Sequence, residues 1–308
     1  MFPSSPFTRS EALNSGFGER EWRTHAEAGL VREVIPGYFV DAALPDTLEL
    51  RLAITRRAIP PDVVVARRAA AWLHGLDVLD YRGFPATPKI EVATRARRDR
   101  PRNQLMLAHV ADDLLPSDVT EIGGIQVTTP LRTAADLARF SPRPDSLVCV
   151  DAFLHKGLFS LEQFEKSLVR WRGRRGVRQA YEIAGIADAR SESGGESRLR
   201  LRVIDMGLPR PELQIPVYDL FGNVRFYLDL GWPHWRLALE YDGEEFHGED
   251  VKEHDLARRK WIRERGWTAK AYRKEDIFTS SQHFEHEVMA LVSKSQGWPT
   301  TGFRSLDA

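Results

Sequence analysis

The sequence predicts an α/β protein, α+β overall, in which three structured parts follow one another along the chain. The chain has 308 residues, which exceeds the roughly 100–200 residues of one typical domain. Short β-rich runs are interspersed with segments of helical periodicity. A small, polar segment at 187–195, ADARSESGG, is typical of a linker. We therefore expect a C-terminal domain after this segment.

Composition narrows the classes of function. The formal net charge is zero, so nucleic-acid binding would depend on local patches rather than on bulk charge. Cys149 is the single cysteine; its apolar neighbours predict a buried residue and argue against a cysteine-rich zinc site. No apolar stretch approaches the roughly 18 residues of a membrane helix, and the first residues lack a signal-peptide pattern. We expect a cytoplasmic protein with no membrane segment.

The first part, residues 1–45, is predicted to begin with a mobile arm over residues 1–18, which are rich in Ser, Pro and Gly. A helix followed by a tight two-stranded ribbon comes next, and this is how a winged helix-turn-helix ends. The predicted elements are a helix over Glu19–Ala28 closed by Gly29, and strands at Leu30–Ile35 and Tyr38–Val40 joined by Pro36-Gly37.

The middle part, residues 46–186, mixes helices and strands. Pro130 is well placed in the first turn of a helix that follows Thr128-Thr129. The predicted elements are a helical region containing Leu48, Leu52 and Thr55, a helix over Val63–Gly75, strands at Lys89–Ala93, Leu105–His109 and Ile125–Val127, and helices over Pro130–Phe140, Asp145–His155 and Leu161–Arg170.

Two arginine runs in this part are candidates for contact with nucleic acid. They are RARRDRPR at 95–102 and RWRGRRGVR at 170–178. Arginine suits phosphate geometry, and each phosphate contact releases counterions. The alternative is that the runs are solvated surface, which is the usual place for dense charge. The candidate DNA-binding residues are Arg95, Arg97, Arg98, Arg172, Arg174 and Arg175.

The C-terminal part, residues 196–294, is predicted to bring carboxylates together, and residues 295–308 form a tail. Asp229 lies in one predicted strand and Glu240 in the next, and a short turn between them favours a hairpin. Glu240 and Asp242 share a face of the second strand. Clustered carboxylates repel unless a cation offsets their charge, and Mg²⁺ prefers oxygen ligands. The alternative is an acidic, solvated sheet edge.

Further residues near this pair have two interpretations each. His247 follows Glu240 by seven residues and is a candidate acid or base near the cation, or a surface histidine in a polar loop. Glu196 begins a helix, where it either takes part in the metal site or offsets the helix dipole.

The stretch from Glu196 to Ile277 resembles the very-short-patch-repair-like branch of the PD-(D/E)XK nucleases. The similar pieces are ESRLRLRVIDMGLPRP, FYLDLGWPHWRLALEYDGEEFH and HDLARRKWIRERGW. The resemblance implies a restriction-endonuclease-like domain whose Mg²⁺ or Mn²⁺ site uses Asp229 and Glu240, with support from Glu196 and His247. Asp255 and Arg258 match polar positions of the next helix, whereas Asp242 stands where the superfamily usually has lysine.

The N-terminal half resembles AbiEi-type antitoxin-like regulators. EREWRTHAEAGLVREVIPGYFVDA is similar to the end of their winged helix, and ARRAAAWLHGL and VTTPLRTAADLA are similar to the segment after it. This resemblance implies DNA binding and a toxin-like protein partner. The winged helix has a second interpretation, as a module for intramolecular packing or protein contacts.

These observations lead to a main functional hypothesis and two rivals. The main hypothesis is a metal-dependent endonuclease that cleaves DNA, with catalytic residues Asp229, Glu240, Asp242 and His247. The first rival is a non-catalytic, antitoxin-like, DNA-binding transcriptional regulator with a vestigial nuclease fold. The second is an interaction protein that binds partners at both ends.

Overall fold

The computed structural model describes Pro3 and residues 5–60, 62–76, 89–96, 98, 103–243, 249–278 and 282–295. The described chain is a mixture of helices and β-sheets, which confirms the predicted α+β class. It divides into two compact units. Unit 1 comprises residues 1–141 and 158–184, and unit 2 comprises residues 142–157 and 185–308. The finer division of the chain at residues 45 and 186 stays a prediction.

Unit 1 begins with a three-stranded sheet in the order β1-β3-β2. Its helix and ribbon follow the predicted pattern, and Gly29 ends the helix with φ +68°, a left-handed conformation that favours glycine. The elements are β1 Phe7–Thr8, α1 Arg9–Asn14, α2 Glu19–Glu27, β2 Val31–Ile35 and β3 Tyr38–Asp41.

The predicted arm over residues 1–18 is wrong for its second half, because residues 7–14 form β1 and α1. Phe7 is buried and its ring packs edge-on against Trp22, 6.3 Å between centroids. Thr8 and Glu11 form a capping box at the start of α1. An apolar anchor and a cap therefore order a segment whose composition suggests mobility.

The rest of unit 1 contains a five-stranded mixed sheet in the order β6-β5-β4-β8-β7. Its core includes Ile54, Leu73, Val92 and Val127. The elements are α3 Leu48–Ala58, β4 Val64–Val65, α4 Arg67–Leu73, β5 Ile90–Thr94, β6 Met106–Val110, β7 Val119–Ile122, β8 Ile125–Thr128, α5 Pro130–Phe140, then, after a helix of unit 2, α7 Leu161–Leu168 and α8 Val177–Ile186.

Two helix predictions in this region have different outcomes. The helix over Pro130–Phe140 is confirmed, with Pro130 in its first turn and the Thr129 hydroxyl capping it. The single helix over Val63–Gly75 is wrong, because Val64–Val65 pairs with β5 and β8 and the helix begins only at Arg67. The β-branched valines fit a buried strand better than a helix.

Unit 2 contains a four-stranded sheet in the order β12-β11-β10-β9. The first three strands are antiparallel, whereas β12 pairs with β11 in parallel after a helical crossover. The elements are α6 Arg143–His155, α9 Gly194–Asp205, β9 Glu212–Tyr218, β10 Val224–Trp232, β11 Leu237–Tyr241, α10 Glu249–Glu264, β12 Thr268–Tyr272, α11 Lys274–Ile277 and α12 His283–Ser295.

The segment 187–195, which the sequence predicts to be a linker, contains buried and hydrogen-bonded residues in the structure. Ser191 is buried and its hydroxyl lies 2.9 Å from that of Ser197. Gly194 and Gly195 already belong to α9. Asp151 accepts hydrogen bonds from the Asp188 amide at 2.8 Å and the Ser197 hydroxyl at 2.7 Å, and it pairs with the buried Arg200. Small, polar residues here satisfy buried polar groups.

Candidate functional site

Strands β10 and β11 bring Asp229 and Glu240 opposite each other. The last paired positions of the two strands are Leu230 and Leu239, so Asp229 and Glu240 are the next residues outward. Opposed residues of an antiparallel pair point to the same face. The Tyr241 amide donates to Asp229 Oδ2 at 2.8 Å, so a side-chain oxygen accepts this hydrogen bond at the point where the backbone pairing of the two strands ends. The expected separation of roughly 6 Å between the two carboxylates stays a prediction.

Asp229 lies in an environment that disfavours its charge. The pKa of Asp229 is raised to about 7, mainly by burial and to a smaller extent by the carboxylates of Glu196 and Glu240. The hydrogen bond from Tyr241 and the charge of Arg258 only partly offset these influences. A carboxyl group that titrates near neutral pH is typical of functional sites, although buried structural groups also show it.

Glu240 is buried and is engaged by a guanidinium group. Arg258 of α10 donates to both oxygens of Glu240, with the Nη1–Oε2 pair at 3.1 Å, and to the Tyr227 carbonyl at 3.0 Å. Ala238, two residues earlier, packs against Ile262 of the same helix. The alternation predicted for this strand therefore brings Glu240 to α10, and an ordered bidentate ion pair results.

Glu196 lies in the first turn of α9 and is also buried. Burial raises its pKa above the usual range of a glutamate. Its Oε2 accepts from the Glu192 amide at 3.0 Å and from Gln214 Nε2 at 3.3 Å. Glu196 is near enough to Asp229 to raise that residue's pKa. The structure thus brings three carboxylates into one region, from α9, β10 and β11.

Gln214 is part of this region and was missed by the sequence analysis. The register of β9 and β10 places it opposite Asp229, between the pairs Leu213–Leu230 and Ile215–Leu228. Its φ is +50°, which is uncommon for a residue other than glycine. Leu213 and Ile215 belong to different apolar clusters, although residues two apart in a regular strand share a face. The regular alternation of side chains between the two faces of the sheet is therefore interrupted at Gln214. No hydrophobic pattern in the sequence indicates this interruption.

Of the remaining predicted catalytic residues, Asp242 is described by the structure. Asp242 lies just past β11, where its amide donates to the Tyr272 carbonyl at 2.9 Å and its Oδ2 accepts from Arg273 Nε at 3.3 Å. His247 lies outside the described residues, and so does the side chain of Asp255.

The described carboxylates do not fit a shared metal ion in this arrangement. Both oxygens of Glu240 face Arg258, and Asp229 Oδ2 faces the Tyr241 amide. Among the residues that the structure describes, no three His, Cys, Asp or Glu side chains are grouped so that they could hold a metal ion. The Mg²⁺ or Mn²⁺ site therefore stays a prediction, and binding there would require Arg258 to move.

The arginines of the two runs that the structure describes lie on the surface. Arg95, Arg98, Arg172 and Arg175 are exposed, and Arg97 is outside the described residues. Arg174 is exposed too and pairs with Asp112 at 3.3 Å. Gly176 anchors the second run, because a Cβ there would lie 2.2 Å from the Arg139 carbonyl oxygen. Exposure fits both interpretations of these runs, so their contact with DNA stays a prediction.

A buried network around Arg132 was also missed by the sequence analysis. Arg132 contacts Asp113 at 2.9 Å, Asp118 at 3.0 Å and Asp136 at 2.8 Å. The network is closed by Trp171, whose indole donates to Asp113 at 2.5 Å. The spacing of Arg132 and Asp136, four residues apart in one helix, is the only part of this arrangement that the sequence displays.

Fold and sites together define an α+β protein with two charged centres. One is the buried ion network of the five-stranded sheet unit, and the other is the carboxylate cluster of the four-stranded sheet unit. In the part of the chain that the structure describes, no helix is long and apolar enough to cross a membrane.

Comparisons with known proteins give the family. The family model of the AbiEi antitoxin C-terminal domain matches residues 63–184. Two Mycobacterium tuberculosis proteins, uncharacterized protein MT2308 of strain CDC 1551 and uncharacterized protein Rv2248 of strain H37Rv, are 34% identical over 241 residues. The alignment covers 78% of this chain and 84% of each relative. The chain belongs to the family of these two proteins and carries a match to the AbiEi antitoxin C-terminal domain.

This result confirms the resemblance of ARRAAAWLHGL and VTTPLRTAADLA to AbiEi-type proteins, because both segments lie inside the matched residues 63–184. The matched residues end before Glu196, so the resemblance of unit 2 to a nuclease stays a prediction.

Proposed function

We propose that the protein is an antitoxin-like transcriptional regulator that binds DNA. The observation that carries this proposal is the AbiEi antitoxin C-terminal domain match at residues 63–184. The helix and β-ribbon of residues 19–41 precede the match, in the order of a winged helix-turn-helix. A regulator needs an element that fits a DNA groove and charges that hold the phosphates, and unit 1 offers candidates for both.

Helix α2 is the candidate for the groove. Its acidic residues Glu19 and Glu21 are already engaged: Glu19 pairs with Arg9, and Glu21 accepts from the Gly18 amide at 3.4 Å at the start of the helix. Arg20 and Arg23 are exposed on the same helix. The acidic composition of this helix is thus explained by its N-terminal cap, and two cations remain for DNA.

The exposed arginines outside α2 would supply contacts to phosphate. Arg95 and Arg98 belong to one run, and Arg172 and Arg175 belong to the other. Since the formal net charge of the chain is zero, DNA affinity would come from such patches and would fall steeply with added salt. A protein partner of the toxin class is the second interaction that this proposal includes.

DNA retention tests the proposal. Duplexes selected from a random-sequence library by the full-length protein are titrated by fluorescence anisotropy at several salt concentrations. We expect Arg20→Ala with Arg23→Ala to abolish selectivity among duplexes, and neutralisation of Arg172 and Arg175 to reduce the salt slope by about two contacts. Lys166→Ala is the matched control, because Lys166 is an exposed cation paired with Glu162 on the surface helix α7. Failure to retain any duplex at low salt would refute DNA binding.

A second candidate function is metal-dependent cleavage of DNA, which one observation favours. Glu196, Asp229 and Glu240 converge in unit 2, and the pKa of Asp229 is raised to about 7 by burial and by the other two carboxylates. Along the chain, a helix is followed by three antiparallel strands, a second helix and a strand that joins the same sheet in parallel. Incubation of the selected duplexes with Mg²⁺ or Mn²⁺ tests this candidate, with Asp229→Ala as the control.

A further inference from the structure

A small cleft in unit 1, which we call the Arg67 cleft, lies beside the ends of β5 and β6 and along α5. Its volume is about 410 Å³ when the open space at its mouth is included. Four arginines and three aspartates line it, together with one histidine. The residues of this set are Arg67, Asp112, Asp113, His109, Arg132, Asp136, Arg139 and Arg174.

Most of these charges already have partners inside the protein. Arg132 contacts Asp136 at 2.8 Å, and Arg139 lies 3.5 Å from the same residue. Arg174 contacts Asp112 at 3.3 Å. His109 lies 2.9 Å from Glu91. The lining is therefore close to electrically balanced, with one exception.

The exception is Arg67. Its backbone has φ +51°, a left-handed conformation that costs of order 1 kcal/mol or more for a residue other than glycine. Its guanidinium lies over the Phe140 ring, 4.7 Å from the centroid. Within the described residues, no carboxylate forms an ion pair with it. A partly buried cation is thus held in a strained conformation at the cleft without a direct ion pair, although the charges of Glu91 and Asp136 are near enough to favour it.

Asp136 provides a second, independent observation. It is 5% exposed and lines the same cleft. Its Oδ2 accepts from Arg132 Nε at 2.8 Å, whereas its buried Oδ1 has no hydrogen-bond donor among the described residues and only a longer ion-pair contact, 3.5 Å, with Arg139 Nη1. A buried acceptor without a donor is costly, so such atoms are rare in native proteins and indicate a missing partner.

We propose that the Arg67 cleft binds a phosphomonoester. The Arg67 guanidinium would donate to the phosphate oxygens in the forked geometry that arginine favours. Asp136 Oδ1 would accept from a hydroxyl of the same ligand, either the P–OH of a monoanionic phosphate or a neighbouring sugar hydroxyl. An internal DNA phosphodiester offers no hydroxyl at this point, so the pair of observations favours a monoester over the DNA backbone.

Two sources share this chemistry, a free nucleoside monophosphate and the 5′-phosphate at a DNA end. Asp112 and Asp113 also face the cleft and carry the same sign of charge as the ligand. Asp112 is engaged by Arg174, and Asp113 by Arg132 and by the Trp171 indole. The inference does not depend on the proposed DNA contacts of α2, because it concerns a different surface of unit 1.

Isothermal titration of the full-length protein tests the proposal, with inorganic phosphate, adenosine 5′-monophosphate and dimethyl phosphate as separate probes. We expect the first two to bind and the diester to bind much more weakly. Arg67→Asn removes the cation while keeping a residue that tolerates the left-handed conformation, so folding and the melting temperature should be retained. Its affinity for inorganic phosphate and for adenosine 5′-monophosphate should fall roughly 10- to 100-fold, because hydrogen bonds between charged groups are lost.

Controls and further ligands complete the test. Arg67→Lys keeps the charge without the fork and should bind with intermediate affinity, and Lys166→Ala should bind like the wild type. Oligonucleotides with and without a 5′-phosphate distinguish a DNA end from a free nucleotide. No heat of binding with inorganic phosphate or with adenosine 5′-monophosphate would overturn the proposal. Equal affinity of the wild type and Arg67→Asn, or of monoester and diester, would overturn it as well.

Discussion

The network around Arg132 and the cluster around Asp229 contain the same kinds of side chain in different balance. Asp113 is partly buried and Asp118 is buried, yet hydrogen bonds from Trp171 and Arg170, together with the charge of Arg132, outweigh burial and lower the pKa of each. Burial instead raises the pKa of Asp136, the network member with fewer donors, and in the cluster of unit 2 it raises the pKa of Asp229 and Glu196.

The difference lies in how many donors reach each carboxylate. Asp118 receives hydrogen bonds from Arg132, from Arg170 and from the Leu115 amide. Among the described residues, Asp229 receives one, from the Tyr241 amide. A carboxylate that accepts several hydrogen bonds is stabilised in its ionised form and supports the fold. A buried carboxylate that accepts few hydrogen bonds stays protonated up to near neutral pH. The two centres therefore predict different responses to mutation and to pH.

The largest expected effect is at the centre of the network. Arg132→Ala leaves Asp113, Asp118 and Asp136 without their shared cation, and removal of one partner from a buried ion pair costs about 3–5 kcal/mol. Chemical denaturation should show a loss of this size, whereas the exposed control Lys166→Ala should change the free energy of unfolding by less than about 1 kcal/mol. A loss below about 1 kcal/mol for Arg132→Ala would show that the network is dispensable for the fold.

Each charged centre is also held by a closely packed glycine, and the two should differ in cost. A Cβ at Gly176 would meet the Arg139 carbonyl oxygen at 2.2 Å, and its φ is +80°. A Cβ at Gly195 would meet the Tyr241 ring at 2.1 Å. We expect Gly176→Ala to destabilise by about 2–4 kcal/mol and Gly195→Ala by about 1–3 kcal/mol, because a ring can move and a backbone carbonyl cannot.

Gly173→Ala is the matched control for this pair, since its φ is +77° and nothing lies within 4 Å of the added atom. It should cost about 1 kcal/mol through backbone strain alone. Thermal melts of the three variants would contradict the packing argument if Gly173→Ala and Gly176→Ala were equally destabilised.

The pH dependence of stability provides a third test of the comparison. The pKa of Asp229 is raised from 3.8 to about 7 in the folded protein. Its favourable contribution is therefore complete below pH 3.8 and is lost as pH rises toward about 7, since only the unfolded state ionises in that window. Asp229→Asn keeps an acceptor for the Tyr241 amide and removes the charge. We expect it to be more stable than the wild type by roughly 1–3 kcal/mol above neutral pH.

Denaturation curves measured from acid to neutral pH check this expectation. The wild type should lose stability relative to Asp229→Asn as pH rises, and the two curves should converge in acid. A constant difference between wild type and variant across the pH range would mean that Asp229 does not titrate as described.

The smallest effect is expected at Asp242. Its ion pair with Arg273, 3.3 Å long, is largely exposed, and such pairs contribute about 0–1 kcal/mol. Asp242→Asn should therefore change the free energy of unfolding by less than about 1 kcal/mol in denaturant titrations. A larger loss would show that Asp242 supports the cluster around Asp229 more directly than its contact with Arg273 indicates.

The sequence predicts those parts of the fold that depend on local signals. Thr129 and Pro130 determine where α5 begins, and the register of β10 and β11 follows from hydrophobic runs around Asp229 and Glu240. Other features depend on distant partners. Phe7 orders the predicted arm by packing on Trp22, and Ser191 is buried by its contact with Ser197.

The candidate sites likewise contain features that local sequence signals predict and features that depend on distant partners. The convergence of Asp229 and Glu240 could be predicted, because adjacent strands imply it. The bidentate contact of Arg258 with Glu240, and the strained backbones of Gln214 and Arg67, could not be read from composition or periodicity. These features arise from tertiary packing, which overrides local preference at particular positions.

The central claim is DNA binding without cleavage by an antitoxin-like regulator, and one measurement tests it most directly. A selected duplex, labelled at one end, is titrated with the full-length protein with and without Mg²⁺, and retention and strand length are followed together across salt concentrations. We expect salt-sensitive retention, loss of selectivity in the Arg20→Ala, Arg23→Ala variant, and an intact strand throughout. Strand cleavage that requires Mg²⁺ and disappears in Asp229→Ala would contradict the central claim and establish the nuclease instead.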